Sequence, residues 1–241
     1  MVVEKLTKRY GGLVALDGLT FQVDQGETVG VIGPNGAGKT TLFDLMTGFQ
    51  RPTSGTVTLD GRETTGRSPN QIVQRGMNRT FQIVRPFKDL TVVENVLVGL
   101  IQGKGRLIRK GGSEELTKQA MELLQLVGLL RAPFSLTRSL SYGELKKLEL
   151  ARALSTFPEV LLVDEVFSGL SAQETQELSD ALARAKASRN LTMLMVEHRV
   201  SKVVQMANRM LVLDHGKLLS QGTPQEILSD QKVLEAYLGK G

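Results

Sequence analysis

Cysteine is absent from this 241-residue chain, so no disulfide framework holds it and its stability must come from a packed core. That absence fits a cytoplasmic setting, although a chain without cysteine carries no positive redox signal. Long apolar runs are missing as well. VLLV (160–163) and LTMLMV (191–196) are strand-sized, against the roughly 20 apolar residues that a bilayer-spanning helix needs. The N-terminal MVVEKLTKRY lacks the apolar centre of a signal peptide, and the expectation is a soluble globular protein of the cytoplasm. Aromatic residues make up only 5% of the chain, and the most basic stretch, residues 102–112, has none interleaved that could stack bases. A net charge of +5 favours anionic partners such as nucleotides. The basic stretch itself reads as a solvated, mobile loop, and no nucleic acid is expected as a partner. No repeat or low-complexity segment is visible.

What is present is a hydrophobic content of 41%, enough for a sizeable core. Leu19, Phe21 and Val23 alternate, a turn follows at residues 24–26, and TVGVI (28–32) reads as a buried central strand. Residues 55–61 form a second alternating strand closed by a turn. From about residue 91 to 140 the period becomes helical, with Leu116, Ala120, Leu123, Leu124 and Val127 on one face and Gly128 as a stop. EVLLVDE (159–165) and LTMLMVEH (191–198) are short apolar runs ending in acids, separated by a helical stretch over residues 172–186. Buried parallel strands joined by a right-handed crossover have that form. A hairpin turning at residues 214–217 follows.

Residues 33–40 read GPNGAGKT between a strand and a helix. Gly33, Gly36 and Gly38 let successive backbone N–H groups of the loop, which also includes Pro34, Asn35 and Ala37, point at an anion, and the following helix adds its positive end. Lys39 supplies a mobile charge for the β and γ phosphates, Thr40 a hydroxyl for Mg²⁺, and Thr41 continues the binding turn. The same loop serves many phosphoryl-transfer enzymes, so alone it implies only that a nucleoside triphosphate binds. Asp164 and Glu165 end an apolar strand, where open α/β sheets place their ligands. Asp164 is the candidate Mg²⁺ ligand, and Glu165 the group that orients or deprotonates the attacking water.

The segment LSYGELKKLELARAL (140–154) resembles the signature of the ATP-binding subunits of ABC transporters. The order of the other motifs agrees across essentially the whole chain: Tyr10, GPNGAGKT, Gln82, the signature, LLVDE and His198. The resemblance implies an α/β fold: a P-loop NTPase core with a mainly parallel sheet, an N-terminal antiparallel β subdomain and an inserted helical subdomain. The core would take residues 1–93 and 156–241, and the helical subdomain residues 94–155. It further implies that Tyr10 stacks on adenine, that Gln82 senses Mg²⁺ and the γ phosphate, and that His198 reaches the γ phosphate. Ser141 and Gly143 would cap the nucleotide held by a second ATP-binding subunit, so that ATP is hydrolysed in a head-to-tail dimer. Ser141 can also simply cap the helix that follows.

FQIVRPFKDLTVVENVLVG (81–99), the Tyr of LSYGE and the ending GTPQEILSDQKVLEAYLG (222–239) are closest to importers of the branched-chain amino acid type, with their urea and amide relatives. Such subunits sit on the cytoplasmic face of the inner membrane, drive separate transmembrane permease subunits and serve an external solute-binding protein. Ile83, Val84 and Phe87 are candidates for lining the groove that receives the permease. Three positions depart from the family pattern: Val166 replaces the usual proline, Glu144 the usual glutamine, and Ser171 an aspartate or asparagine. A carboxylate at Glu144 is expected near the triphosphate, where it would repel. The rival readings are a cytosolic ABC-type ATPase acting on a scaffold or nucleic acid, a lipopolysaccharide-type exporter ATPase, and a P-loop kinase, which the signature opposes.

Overall fold

The structure is a computed structural model that describes residues 1–103 and 108–238. Its elements run β1 (Val2–Tyr10), β2 (Leu13–Gln22), β3 (Thr28–Ile32), α1 (Lys39–Met46), β4 (Ser54–Leu59), β5 (Arg62–Glu63) and α2 (Pro69–Gln74). There follow β6 (Met77–Arg79), α3 (Val92–Gln102), α4 (Ile108–Val127), α5 (Tyr142–Ser155), β7 (Val160–Asp164) and α6 (Ala172–Arg189). The chain ends with β8 (Thr192–Val196), α7 (Val200–Met206), β9 (Arg209–Asp214), β10 (Lys217–Gly222), α8 (Pro224–Ser229) and α9 (Gln231–Leu238). No helix among the described residues is long and apolar enough to cross a membrane.

Two compact units emerge, the first made of Met1–Arg75 and the residues from Thr192 onward, the second of Gly76–Leu191. In the first unit β2-β1-β4-β5 pair antiparallel, and β10-β9-β3-β8 form a second set in which β3 runs parallel to both β8 and β9. β3 and β8 are buried at every residue, which is why their sequences are continuous apolar runs rather than alternations. Leu42, Phe43 and Met46 of α1 are fully or almost fully buried. β9 and β10 form the expected hairpin across Asp214 and Lys217.

In the second unit β6 and β7 are parallel, with Arg79 opposite Leu162. α3 buries Val92, Val93, Val96 and Leu100; α4 buries Ala120, Leu123, Leu124 and Val127; α5 buries Leu148, Leu150, Ala151 and Leu154. α4 stops where Gly128 takes φ 77° and the Leu129 N–H reaches back to the Leu124 carbonyl at 2.7 Å, a glycine-dependent C-terminal cap. The loop expected over residues 102–112 is shorter than the composition suggested. Residues 104–107 lie outside the described residues, and from Ile108 the chain is already in α4, broken at Gly112 (φ 67°).

Candidate nucleotide-binding and coupling site

β3 delivers the chain to Gly33 (φ 149°), and Gly36 (φ 81°) and Gly38 (φ 101°) complete a turn in backbone conformations that side chains rarely adopt. A Cβ on Gly33 would stand 2.1 Å from the Leu213 carbonyl oxygen, whereas one on Gly36 would meet nothing within 4 Å. The loop is thus pressed against the sheet at its start and open at its middle. Gly38 is the N-cap of α1 and brings no side chain to it, so the first-turn N–H groups contributed by Lys39, Thr40 and Thr41 lack a side-chain cap on that helix end. Lys39 is buried, and its Nζ donates to the carbonyls of Gly33 at 2.7 Å and Pro34 at 2.9 Å. The ammonium is held by the loop it serves. Ala37 accepts the Gly216 N–H at 3.1 Å, while Asn35 and Thr40 are exposed. Tyr10 ends β1 with its ring 43% exposed, its hydroxyl on the Gln50 side chain and Lys8 Nζ 4.9 Å from the ring centroid. His198 is exposed, two residues beyond β8, whose register with β3 pairs Val196 with Val31. In this unit the structure therefore gathers the loop and His198 at the C-terminal edge of parallel strands.

The second unit holds the other predicted residues. Asp164 closes β7 at 5% exposure, paired at 2.5 Å with Arg79 Nη2, which closes β6. The Asp164 N–H donates to Thr80 Oγ1 at 3.2 Å, and the Thr80 N–H to Leu162 at 2.9 Å. Glu165 is buried at φ 46°, a left-handed conformation that costs a residue with a side chain on the order of 1 kcal/mol. Gln82 lies exposed in the irregular segment after β6, with its carbonyl oxygen accepting Lys146 Nζ at 2.6 Å.

Three side chains of α5 grip that segment by its main chain. Lys146 takes the Gln82 carbonyl, Glu149 accepts the Phe81 N–H at 3.2 Å, and Arg152 donates to the Arg85 carbonyl at 2.9 Å while its guanidinium sits 4.9 Å from the Phe87 ring centroid. The spacing i, i+3, i+6 puts them on one helix face. Burial pushes the Glu149 carboxyl above its ordinary pKa, against the opposing pull of Arg152, the Phe81 N–H and Lys146. Ile83 and Phe87 are 67% and 44% exposed.

Ser141 is the N-cap of α5, accepting the Glu144 N–H at 3.3 Å, and its own N–H goes to Glu144 Oε2 at 2.8 Å. This capping box turns the Glu144 carboxylate onto its own helix end, a role for the glutamate besides the repulsion expected of it. Ser171 caps α6 with Glu174 in the same way, and the Ser171 N–H and hydroxyl hold Glu174 below the usual carboxylate range. A Cβ on Gly143 would lie 2.3 Å from Glu174 Oε1, so any larger residue there would have to displace the Glu174 side chain from the N-terminus of α6. A cleft of 910 Å³ opens there, lined by Ser141, Gly143, Glu144, Lys147, Ser171 and Glu174 among others.

Several residues escaped the sequence reading. Asn95, fully buried, sits among Val92, Val93 and Val96; a polar residue on an apolar helix face was its signal. Lys146 and Glu149 are buried at 2% and 7% exposure, on the inner face of a helix whose periodicity marked those positions as inward. Arg79 left no sequence signal. Tyr237 in α9 accepts the Gly33 N–H at 2.8 Å, a contact across the whole first unit that spacing cannot reveal.

A nucleoside triphosphate fits the loop on these observations: open space at Gly36, first-turn N–H groups with no side-chain cap, and an ammonium within the turn. For a divalent cation, the described residues contain no cluster of three or more His, Cys, Asp or Glu side chains. Asp164, the carboxylate expected to serve it, carries the Arg79 guanidinium, and with so few protein oxygens Mg²⁺ would be held chiefly by phosphate and water. The sequence profile described as ABC transporter matches residues 16–168, and that described as branched-chain amino acid ATP-binding cassette transporter matches residues 217–241. The high-affinity branched-chain amino acid transport ATP-binding protein LivG of Salmonella typhimurium is 40% identical, covering 100% of this chain and 98% of its own. Among solved structures, the ADP conformation of MJ1267, an ATP-binding cassette of an ABC transporter, superposes with a TM-score of 0.88 at 31% identity over 99% of this chain and 98% of that one. The dimeric structure of MJ0796, a bacterial ABC transporter cassette, gives 0.81 at 25% identity over 92% and 98%. A phosphate-binding turn, a signature helix capped beside an open cleft, and similarity along the full length have one common explanation: the chain belongs to the ABC transporter family, among its ATP-binding cassettes.

Proposed function

We propose that the chain is the ATP-hydrolysing subunit of an importer for branched-chain amino acids or related small polar solutes. It pairs with a second ATP-binding subunit on the cytoplasmic face of the inner membrane and drives separate permease subunits fed by an external solute-binding protein. The observation that carries this reading is the phosphate loop, with Lys39 Nζ held by the Gly33 and Pro34 carbonyls and the turn open at Gly36. Support for the substrate class comes from the match at residues 217–241 and the likeness to LivG; support for pairing comes from the dimeric MJ0796 cassette.

In this reading residues 94–155 act as the helical subdomain that carries the signature. Lys39 and the N–H groups of residues 36–41 bind the phosphates, and Tyr10 stacks on the base. Thr40, Gln82 and Asp164 are the residues that would hold Mg²⁺, which would supply positive charge against the phosphates. Glu165 orients the water and takes its proton, His198 donates toward the γ phosphate, and Ser141 with Gly143 serves the partner's nucleotide. The test is phosphate release by the full chain with ATP and Mg²⁺. Glu165→Gln should keep MgATP binding and lose turnover by about 100-fold or more; EDTA should abolish release in both proteins. Wild-type rates in Glu165→Gln would remove Glu165 from the catalytic role.

A further inference from the structure

The C-terminal helix reaches the phosphate loop. Tyr237 Oη accepts the Gly33 N–H at 2.8 Å, and the Gly33 carbonyl accepts Lys39 Nζ at 2.7 Å. The first glycine of the loop is thereby clamped on both sides of its Cα, at a position where an added Cβ would stand 2.1 Å from the Leu213 carbonyl oxygen. Gly33 is buried, so its N–H needs a partner, and the partner supplied is a side chain 204 residues away in sequence.

α9 is built to hold that hydroxyl in place. Asp230 starts the helix, accepting the Val233 and Leu234 N–H groups on its carbonyl at 3.0 and 3.1 Å and the Lys232 N–H on Oδ1 at 2.9 Å. Its other carboxylate oxygen accepts Ser220 Oγ of β10 at 2.6 Å. Val233, at 5% exposure, anchors the face on which Tyr237 follows one turn later. The Tyr237 ring is itself 44% exposed, so ring burial alone does not explain its placement. Partial burial pushes the phenol up from its ordinary pKa, with the Gly33 N–H pulling the other way. The hydroxyl therefore stays neutral in the physiological range, an acceptor for Gly33 that still has its own proton to donate.

We propose that Tyr237 is a positioning residue for nucleotide binding: through Gly33 it fixes the entry of the phosphate loop, so that the N–H groups of residues 36–41 are aimed before the nucleotide arrives. The inference rests on the nucleotide-binding reading of the loop. Because the contact is to the loop's own main chain and not to the phosphate that is transferred, its effect should be the same on the bound ground state and the transition state. Its loss should raise KM and leave kcat at saturation unchanged.

The experiment compares wild type with Tyr237→Phe, which keeps the ring and removes only the acceptor. MgADP and MgATP binding are measured by calorimetry, steady-state hydrolysis by phosphate release, and amide exchange at Gly33 and Gly30 by NMR of ¹⁵N-glycine-labelled protein. Expected in Tyr237→Phe are affinities for MgADP and MgATP reduced alike by about two- to tenfold, the worth of one hydrogen bond. KM should rise by the same factor at constant kcat, and exchange should be faster at Gly33 while Gly30, inside β3, keeps its protection. Wild-type affinity in Tyr237→Phe overturns the proposal. So does a loss of affinity accompanied by deprotected Gly30 and a matching fall in melting temperature, which makes Tyr237 a residue of the fold alone. Failure of the wild-type protein to bind MgADP refutes the nucleotide reading itself and is recognised by that control.

Discussion

Replacing Asn95 tests how the segment between β6 and α3 is held. The side chain is fully buried and makes four bonds to main chain: it accepts the Phe87 N–H at 2.9 Å and donates to the carbonyls of Phe87 at 3.0 Å, Leu90 at 3.4 Å and Thr91 at 2.9 Å. Most of these groups have other partners. The Phe87 carbonyl also accepts Thr137 Oγ1, the Leu90 carbonyl the Thr137 N–H, and the Thr91 carbonyl the Asn95 N–H. Asn95→Ala therefore strands chiefly one donor, the Phe87 N–H, at a cost of about 1–3 kcal/mol. For a chain of this size that lowers the melting temperature by about 2–10 °C. Asn95→Asp keeps the acceptor but turns a carboxylate toward three carbonyl oxygens, and should be worse than alanine at pH 7. Burial beside those carbonyls raises the folded-state pKa of the new carboxyl. The variant's stability is thus best below about pH 3.9, where the group is protonated and can donate, and is lost as pH rises through the raised value. Thermal melts of the three proteins between pH 4 and 8 read this directly. An aspartate variant at least as stable as the alanine variant at pH 7, or a deficit independent of pH, would refute the reasoning.

Glu149→Gln keeps an acceptor for the Phe81 N–H and removes the charge that burial penalises. The wild-type carboxyl has a raised folded pKa, so its contribution is full below about pH 4.5 and is lost as pH climbs through the raised value. The melting temperature of the variant relative to wild type should accordingly rise between pH 4.5 and 8; a flat or falling difference contradicts this. Glu144→Gln should leave ATP-dependent dimerisation, followed by sedimentation at low and high salt, the same as wild type, because the carboxylate already caps its own helix; tighter dimers at low salt would return it to the nucleotide. Phe87→Asp, at a half-exposed position beside Arg152, should keep melting temperature and the ATPase of the isolated subunit yet abolish association with permease subunits. An unfolded variant would make Phe87 a core residue.

The parts legible in the sequence were those written in local pattern. β3, β7 and β8 announced themselves as continuous apolar runs, the phosphate loop by three glycines in fixed spacing, and the cap of α5 by Ser141. What stayed hidden were contacts made by backbone groups far apart in sequence. The Gln82 carbonyl and the Phe81 N–H have no sequence signature, so nothing signalled that Lys146 and Glu149 answer them. The capping role of Glu144 was missed because a carboxylate at that position looks like a departure from a pattern, whereas capping geometry treats glutamate and glutamine as equivalents. The left-handed backbone at Glu165 was equally invisible, since only glycine advertises such a conformation in advance.

The grip of α5 on residues 81–85 has an evolutionary consequence. Lys146, Glu149 and Arg152 take hold of a carbonyl, an N–H and another carbonyl, groups that every residue other than proline carries in identical form. Hardware that fastens to the main chain is indifferent to what the main chain wears. An outward-facing side chain such as Ile83 can therefore change without loosening the segment from the helix, whereas Phe87 is also held through its ring by Arg152. At such a position the surface can vary one substitution at a time while the main-chain attachment behind it stays the same.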